Sequence, residues 1–122
     1  MRKILIAEDE TTSRMIASKA VEQMGYCAFN SPDGRHAWET LMVNRDISLL
    51  ITDVEMPILD GCDLIKRLRA SNDYRHLPII IISGVVGPKT IAGFLEQGAT
   101  WFVAKPIVTE EIQEYVAKSF NQ

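Results

Sequence analysis

Cysteine is scarce. Only Cys27 and Cys62 occur in 122 residues, far apart, with no C-x-x-C spacing and no histidine beside them in a ligand pattern, so neither a disulfide framework nor a zinc site is expected. Basic charge is in deficit too. Lys and Arg total 13 against 16 Asp and Glu, a formal net charge of −3 with a pI near 5.3, which argues against nucleic-acid binding by this domain alone, since that needs a basic patch. Long apolar runs are missing. None approaches the roughly 20 residues of a transmembrane helix, and after Arg2 and Lys3 only residues 4–7 are apolar before Glu8, Asp9 and Glu10 interrupt, too short for a signal-peptide core. A cytoplasmic protein without membrane contact is the expectation. No internal repeat, low-complexity tract or linker breaks the chain.

What is present reads as one globular domain spanning residues 1–122, with 47% apolar and 24% charged residues, a size near the mode for single domains and a balance too apolar for disorder. Three short apolar runs without alternation, residues 4–7, 49–51 and 78–82, predict strands buried on both faces of a parallel sheet. Weaker strand signals cover residues 26–30 and 101–104. Between them lie segments with helical spacing: Met15, Ile16, Lys19, Ala20 and Met24 before Gly25; Ala37, Trp38, Leu41 and Met42; Leu64, Ile65 and Leu68. Ile91, Phe94 and Leu95 before Gly98 predict a fourth helix, and Ile112, Tyr115, Val116 and Phe120 a fifth with Thr109 as its N-cap. Strand and helix alternate throughout, which predicts a doubly wound α/β fold with a five-stranded parallel sheet. The fourth helix is the weakest, with Gly84, Gly87, Pro88 and Gly93 around it.

In open parallel sheets ligands bind beyond the carboxyl ends of the strands, where strand order reverses. The residues that follow the apolar runs are Glu8 and Asp9, Asp53, Ser83, and Lys105 with Pro106. Each alone could be a helix-entry acid, a loop acid, a turn residue or a solvated charge. Together they place three carboxylates, a hydroxyl and an ammonium on one rim. With the strand order 2-1-3-4-5 of this flavodoxin-like architecture, Asp9 and Asp53 emerge side by side and repel, so a positive charge must compensate. Lys105 supplies one, and oxygen ligands suit a hard divalent cation, above all Mg²⁺. Such a site is equipped for phosphoryl transfer, and with no cysteine or histidine placed to attack, a carboxylate is left as the nucleophile.

These elements resemble a family. Glu8-Asp9, then Asp53-Val54-Glu55-Met56-Pro57 with Asp60-Gly61, then Ser83-Gly84, then Lys105-Pro106, in that order at those strand ends, are similar to the receiver domain of two-component response regulators, the CheY-like fold. The resemblance implies that Asp53 takes a phosphoryl group from a sensor histidine kinase or phosphotransfer protein and passes the signal to a downstream effector domain or protein. It implies Mg²⁺ held by Asp9 and Asp53 directly, by Glu8 mainly through water, and by the Glu55 backbone carbonyl. Lys105 would pair with the phosphoryl oxygens, the Ser83 hydroxyl would bond one of them, and Phe102 would be the aromatic switch. The output face would be the fourth helix, fifth strand and fifth helix, and the Lys105-Pro106 peptide would be cis. The chain would be no enzyme on other substrates, catalysing only its own phosphorylation and slow dephosphorylation.

Some positions depart from the usual pattern. Glu8 stands where many members have Asp, and its longer side chain can still act through water. Phe102 lacks the hydroxyl a tyrosine would offer, and Trp101 beside it adds bulk. Glu55 and Val85 occupy positions that tune dephosphorylation. Three rival readings are weighed: a flavodoxin-like electron carrier using Thr11-Thr12-Ser13 as a phosphate loop, opposed by the preceding acids; a haloacid-dehalogenase-type phosphatase, opposed by the lack of a D-x-D pair after the first strand and of a cap domain; and a receiver used as a binding module without phosphorylation. His36 and His76 are expected at the surface, Trp38 and the methionines in helix cores, and Cys62 as a small apolar filler.

Overall fold

The continuous apolar runs form the centre of the sheet. In the computed structural model, which describes residues 1–84 and 87–121, β1 (Lys3–Ala7), β3 (Ile47–Asp53) and β4 (Ile79–Ser83) are flanked by the edge strands β2 (Cys27–Ser31) and β5 (Trp101–Ala104). All pairings are parallel, in the order β2-β1-β3-β4-β5. Successive side chains of a strand point to opposite faces, and here both faces are apolar. Leu5, Ala7, Leu50, Ile79 and Ile81 pack into one core, while Ile4, Ile6, Leu49, Ile51, Ile80 and Ile82 pack into the other. That two-sided burial is why these strands show no alternation in sequence.

Five helices follow the strands: α1 (Thr11–Gln23), α2 (Gly34–Val43), α3 (Gly61–Arg69), α4 (Pro88–Gln97) and α5 (Thr109–Phe120). Ala37 and Leu41 of α2, Leu64, Ile65 and Leu68 of α3, and Phe94 of α4 cover the first core. Ala17, Ala20 and Val21 of α1 with Ile112 and Val116 of α5 cover the second. Asp33 and Asp60 cap α2 and α3, accepting from the amides of His36 at 2.7 Å and Asp63 at 2.9 Å.

The helical spacing of α1 is right, and Ile16, Ala20 and Met24 pack on the second core as expected, but two of the five spaced residues do not. Ser13, Ala17, Ala20 and Val21 face inward, whereas Met15 is 51% exposed and Lys19 points to solvent. Small residues win that face because α1 lies against α5 closely enough for Gln113 Nε2 to donate to the Ala20 carbonyl at 3.0 Å. Thr109 is the first residue of α5 rather than its cap. Val108 holds the cap position with no side-chain bond, and Glu110 and Glu111 supply negative charge to the first turn instead. The edge strand β2 runs one residue later than its signal. His36 and His76 are exposed, and Trp38, Met42 and Cys62 are half-buried against the first core.

The helix with the weakest signal, α4, is also the least embedded. Phe94 is its buried residue, while Leu95 is exposed. Its far end is tied down. Gly98 takes a φ of +118° that side chains disfavour, and its carbonyl accepts from Arg69 Nε at 3.0 Å and Nη2 at 2.7 Å. Val85, expected to bear on dephosphorylation, lies outside the described residues.

Candidate functional site

Strand order does the first work of assembly. Because β1 and β3 are neighbours, with Ala7 opposite Thr52, the residues after β1 meet the last residue of β3. Glu8, Asp9 and Asp53 each offer a carboxylate oxygen, and these atoms all lie within 4.8 Å of one another. On the other side β4 and β5 pair with Ser83 opposite Ala104, and the Lys105 amide donates to the Ser83 carbonyl at 2.8 Å. That brings the ammonium inward. Lys105 Nζ lies 2.7 Å from Glu8 Oε1 and 3.0 Å from Asp53 Oδ2. The Lys105-Pro106 peptide is cis, as the resemblance implies.

A cleft of about 380 Å³ opens here, lined by Asp9, Glu10, Asp53, Glu55, Ser83, Gly84 and Lys105. Glu8, beside the cleft, is completely buried, Asp53 is nearly so, and Asp9 is exposed. The Asp53 carboxylate is fixed at both oxygens, Oδ1 by the Val54 amide at 2.7 Å and Oδ2 by Lys105. Phe102 does not line this cleft. It stacks on Phe94 of α4, ring centroids 5.9 Å apart and planes 18° from parallel, joining the first core.

Burial pushes the Glu8 carboxyl up to about 7, against a weaker downward pull from its bond to Lys105 and with a further upward push from Asp53. Lys105 is raised above the ordinary lysine value, since Glu8 and Asp53 together outweigh its own desolvation. The short contact between Glu8 Oε1 and Lys105 Nζ offsets only part of the cost of burying the carboxylate. The sign of the resulting pH dependence follows from linkage. Between the ordinary carboxyl range and about pH 7 the folded state holds a proton on Glu8 that the unfolded chain has lost, so this contribution to stability is full at lower pH and is lost as pH rises through that window. Metal-free protein should therefore show a step of a few kcal/mol in urea-unfolding free energy between about pH 4.5 and pH 7, absent in Glu8→Gln. An identical pH profile in the variant would remove Glu8 as the source.

The geometry also shows residues that the sequence reading passed over. Arg14 Nη1 donates to the Glu8 carbonyl at 3.0 Å, Glu10 lines the cleft and accepts from the Ser13 hydroxyl, and the buried Thr52 hydroxyl donates to the Asp53 carbonyl at 2.9 Å. Thr52 had a visible signal, a hydroxyl between the apolar run of residues 49–51 and Asp53. Arg14 had none, because its contact depends on the path of the loop into α1.

What the arrangement offers is an all-oxygen donor set, three carboxylates with oxygens within 4.8 Å of one another, around a small space. That fits a hard divalent cation. Among the described residues, no helix is long and apolar enough to cross a membrane.

Comparison with known proteins agrees with this architecture. Residues 4–117 match the family described as the response regulator receiver domain. The chemotaxis protein CheY1 of Helicobacter pylori strain J99 is 34% identical over 113 residues, 92% of this chain and 91% of that protein. A CheY homolog of Campylobacter jejuni is 30% identical over 92% of this chain and 87% of its own length. Among solved structures, the Vibrio cholerae chemotaxis response regulator CheY4 superposes with a TM-score of 0.91 at 26% identity, covering 98% of this chain and 99% of that one. The receiver domain of a signal transduction histidine kinase from Syntrophus aciditrophicus gives 0.87 at 31% identity, covering 98% and 89%. Matched along almost its whole length and folded in the same strand order, the chain belongs to the response regulator receiver domain family, of the CheY-like type.

Proposed function

We propose that Asp53 is the phosphoacceptor of a two-component signalling system, taking a phosphoryl group from a phosphohistidine on a sensor kinase or phosphotransfer protein. The observation that carries this is Lys105 Nζ held between Glu8 and Asp53, beside a third carboxylate, at the mouth of one cleft. An oxygen of the Asp53 carboxylate attacks phosphorus, the O–P bond forms, the P–N bond to the donor imidazole breaks, and the electron pair leaves with the imidazole. The Val54 amide and Lys105 orient the attacking carboxylate, and Lys105 then neutralises the transferred oxygens. Asp9 and Asp53 would hold Mg²⁺ directly, Glu8 mainly through water, and the Glu55 backbone carbonyl would complete the protein ligands. Bound there, the ion neutralises charge on the phosphoryl oxygens during transfer. The protein then catalyses only its own phosphorylation and slow dephosphorylation. A cytoplasmic location fits this role.

The output follows from charge. A phosphoryl group on Asp53 adds about −1.5 to −2 charges beside Lys105 and Ser83. Drawing the Ser83 hydroxyl towards it frees space that Phe102 can fill, and Phe102 already stacks on Phe94 of α4. Since α4 is thinly buried and entered through Gly87 and Pro88, it is the element closest to bistable, and α4, β5 and α5 form the surface presented to an effector. Addition of beryllofluoride with Mg²⁺ should move NMR amide signals over residues 83–102 and leave α2 largely still. Changes spread evenly over the domain, or confined to residues touching the phosphoryl mimic, would contradict a switch through this face.

A further inference from the structure

Thr52 sits in the middle of the sheet, opposite Ala7 of β1 and Ile81 of β4, and is completely buried. A hydroxyl in such surroundings is costly unless it is bonded, and a valine would fill the same shape. The Thr52 hydroxyl donates to the backbone carbonyl of Asp53 at 2.9 Å. That carbonyl belongs to the same peptide unit as the Val54 amide, which donates to Asp53 Oδ1 at 2.7 Å. Both ends of one rigid, planar group are therefore engaged, one by Thr52 and the other by the carboxylate itself. With Oδ1 held, Oδ2 is the oxygen turned to Lys105 at 3.0 Å.

The start of α3 limits the same peptide from a second side. A Cβ on Gly61 would fall 2.2 Å from the Asp53 carbonyl oxygen, and the Gly61 amide fixes the next peptide by donating to the Val54 carbonyl at 2.8 Å. Glycine is required there by contact alone. Gly61 allows α3 to press on the peptide, and the Thr52 hydroxyl supplies a side-chain donor to its carbonyl.

We infer that Thr52 is a positioning residue for phosphoryl transfer, its hydroxyl setting the tilt of the Asp53-Val54 peptide so that the Val54 amide locks the Asp53 carboxylate with Oδ2 facing Lys105. The inference rests on Asp53 being the phosphoacceptor. It assigns to Thr52 no contact with the phosphoryl group or with metal. Its effect is on the geometry of attack, where small displacements cost rate.

The test compares wild type, Thr52→Val and Thr52→Ser, labelled with acetyl phosphate at saturating Mg²⁺ and followed by intact mass, with the Val54 amide proton shift read in metal-free protein. Thr52→Val should label about tenfold more slowly, the effect of losing one hydrogen bond from the transition-state geometry, with its Val54 amide shifted towards the unbonded range. Thr52→Ser should return both readouts to within about twofold of wild type. Should Thr52→Val not fold, Thr52→Ala set against Thr52→Ser makes the same comparison, because both lack the methyl and differ only in the hydroxyl. Equal rates and equal Val54 shifts with and without the hydroxyl would overturn the inference while leaving Asp53 as acceptor. Failure of the wild type itself to label on Asp53 would instead remove the reading beneath it.

Discussion

Replacing Asp9 by Ala should abolish both the stabilisation by Mg²⁺ and the phosphorylation of Asp53, while leaving the metal-free fold as stable as before or slightly more so. Asp9 is exposed and packs nothing, so its removal costs no core contact. Its carboxylate instead adds to a crowded set, with oxygens of Glu8, Asp9 and Asp53 within 4.8 Å. Two unit charges at that separation repel by up to about 3 kcal/mol at an effective dielectric of about 20, less for a group as exposed as Asp9. A divalent ion bound to the folded state reverses this, and at a hundred times its dissociation constant it stabilises by about 2.7 kcal/mol. Melting curves with and without Mg²⁺ should separate for the wild type and coincide for Asp9→Ala. A variant whose melting temperature still rises with Mg²⁺ would show that the ion sits elsewhere.

Lys105→Ala is expected to slow phosphorylation by about 10² to 10³ fold, the usual cost of removing a fixed charge aimed at developing negative charge. Here the same ammonium also holds the resting site together. It lies 2.7 Å from the fully buried Glu8 and 3.0 Å from Asp53, so its loss leaves two adjacent carboxylates without their cation. Breaking a buried pair by removing one partner typically costs about 3 to 5 kcal/mol, but Glu8 can escape part of that penalty by taking up a proton, which burial already favours. The metal-free variant should therefore be destabilised above about pH 7 and much less so near pH 5. Lys105→Arg should not restore the rate, because a planar guanidinium cannot place its charge where the compact ammonium sits. Full activity in either variant would contradict the role given to Lys105.

The parts of this protein that were readable in advance are those where local chemistry and long-range placement coincide. Strands buried on both faces are uniformly apolar, so residues 4–7, 49–51 and 78–82 declared themselves. Once parallel order is granted, the residues at their carboxyl ends must meet, which is why Glu8, Asp9, Asp53, Ser83 and Lys105 could be named together. On α1 the spacing placed Ile16, Ala20 and Met24 correctly but put Met15 inside and passed over Ser13 and Ala17, because periodicity rewards large apolar side chains while close packing on α5 rewards small ones. Thr109 was misread as a cap because cap preference concerns residue type, whereas the boundary is set by where the chain turns after β5. The upward push on the Glu8 carboxyl was not legible at all. It depends on complete burial and on the neighbouring Asp53 carboxylate, both products of tertiary packing. Thr52 was passed over because a threonine in a strand has an ordinary explanation in β propensity, and only its distance to the Asp53 carbonyl separates it from that.

The central claim is that one side chain, Asp53, is the nucleophile. Its near-complete burial, the Val54 amide on one oxygen and Lys105 on the other leave it oriented at the cleft, with exposed Asp9 at the rim rather than at the point of attack. Intact-mass measurement of wild type and Asp53→Asn after incubation with acetyl phosphate and Mg²⁺ tests this most directly. The account predicts the mass of one added phosphoryl group on the wild type, lost on removal of Mg²⁺ before labelling, and none on Asp53→Asn. A phosphoryl group appearing on Asp53→Asn at the wild-type rate would contradict it.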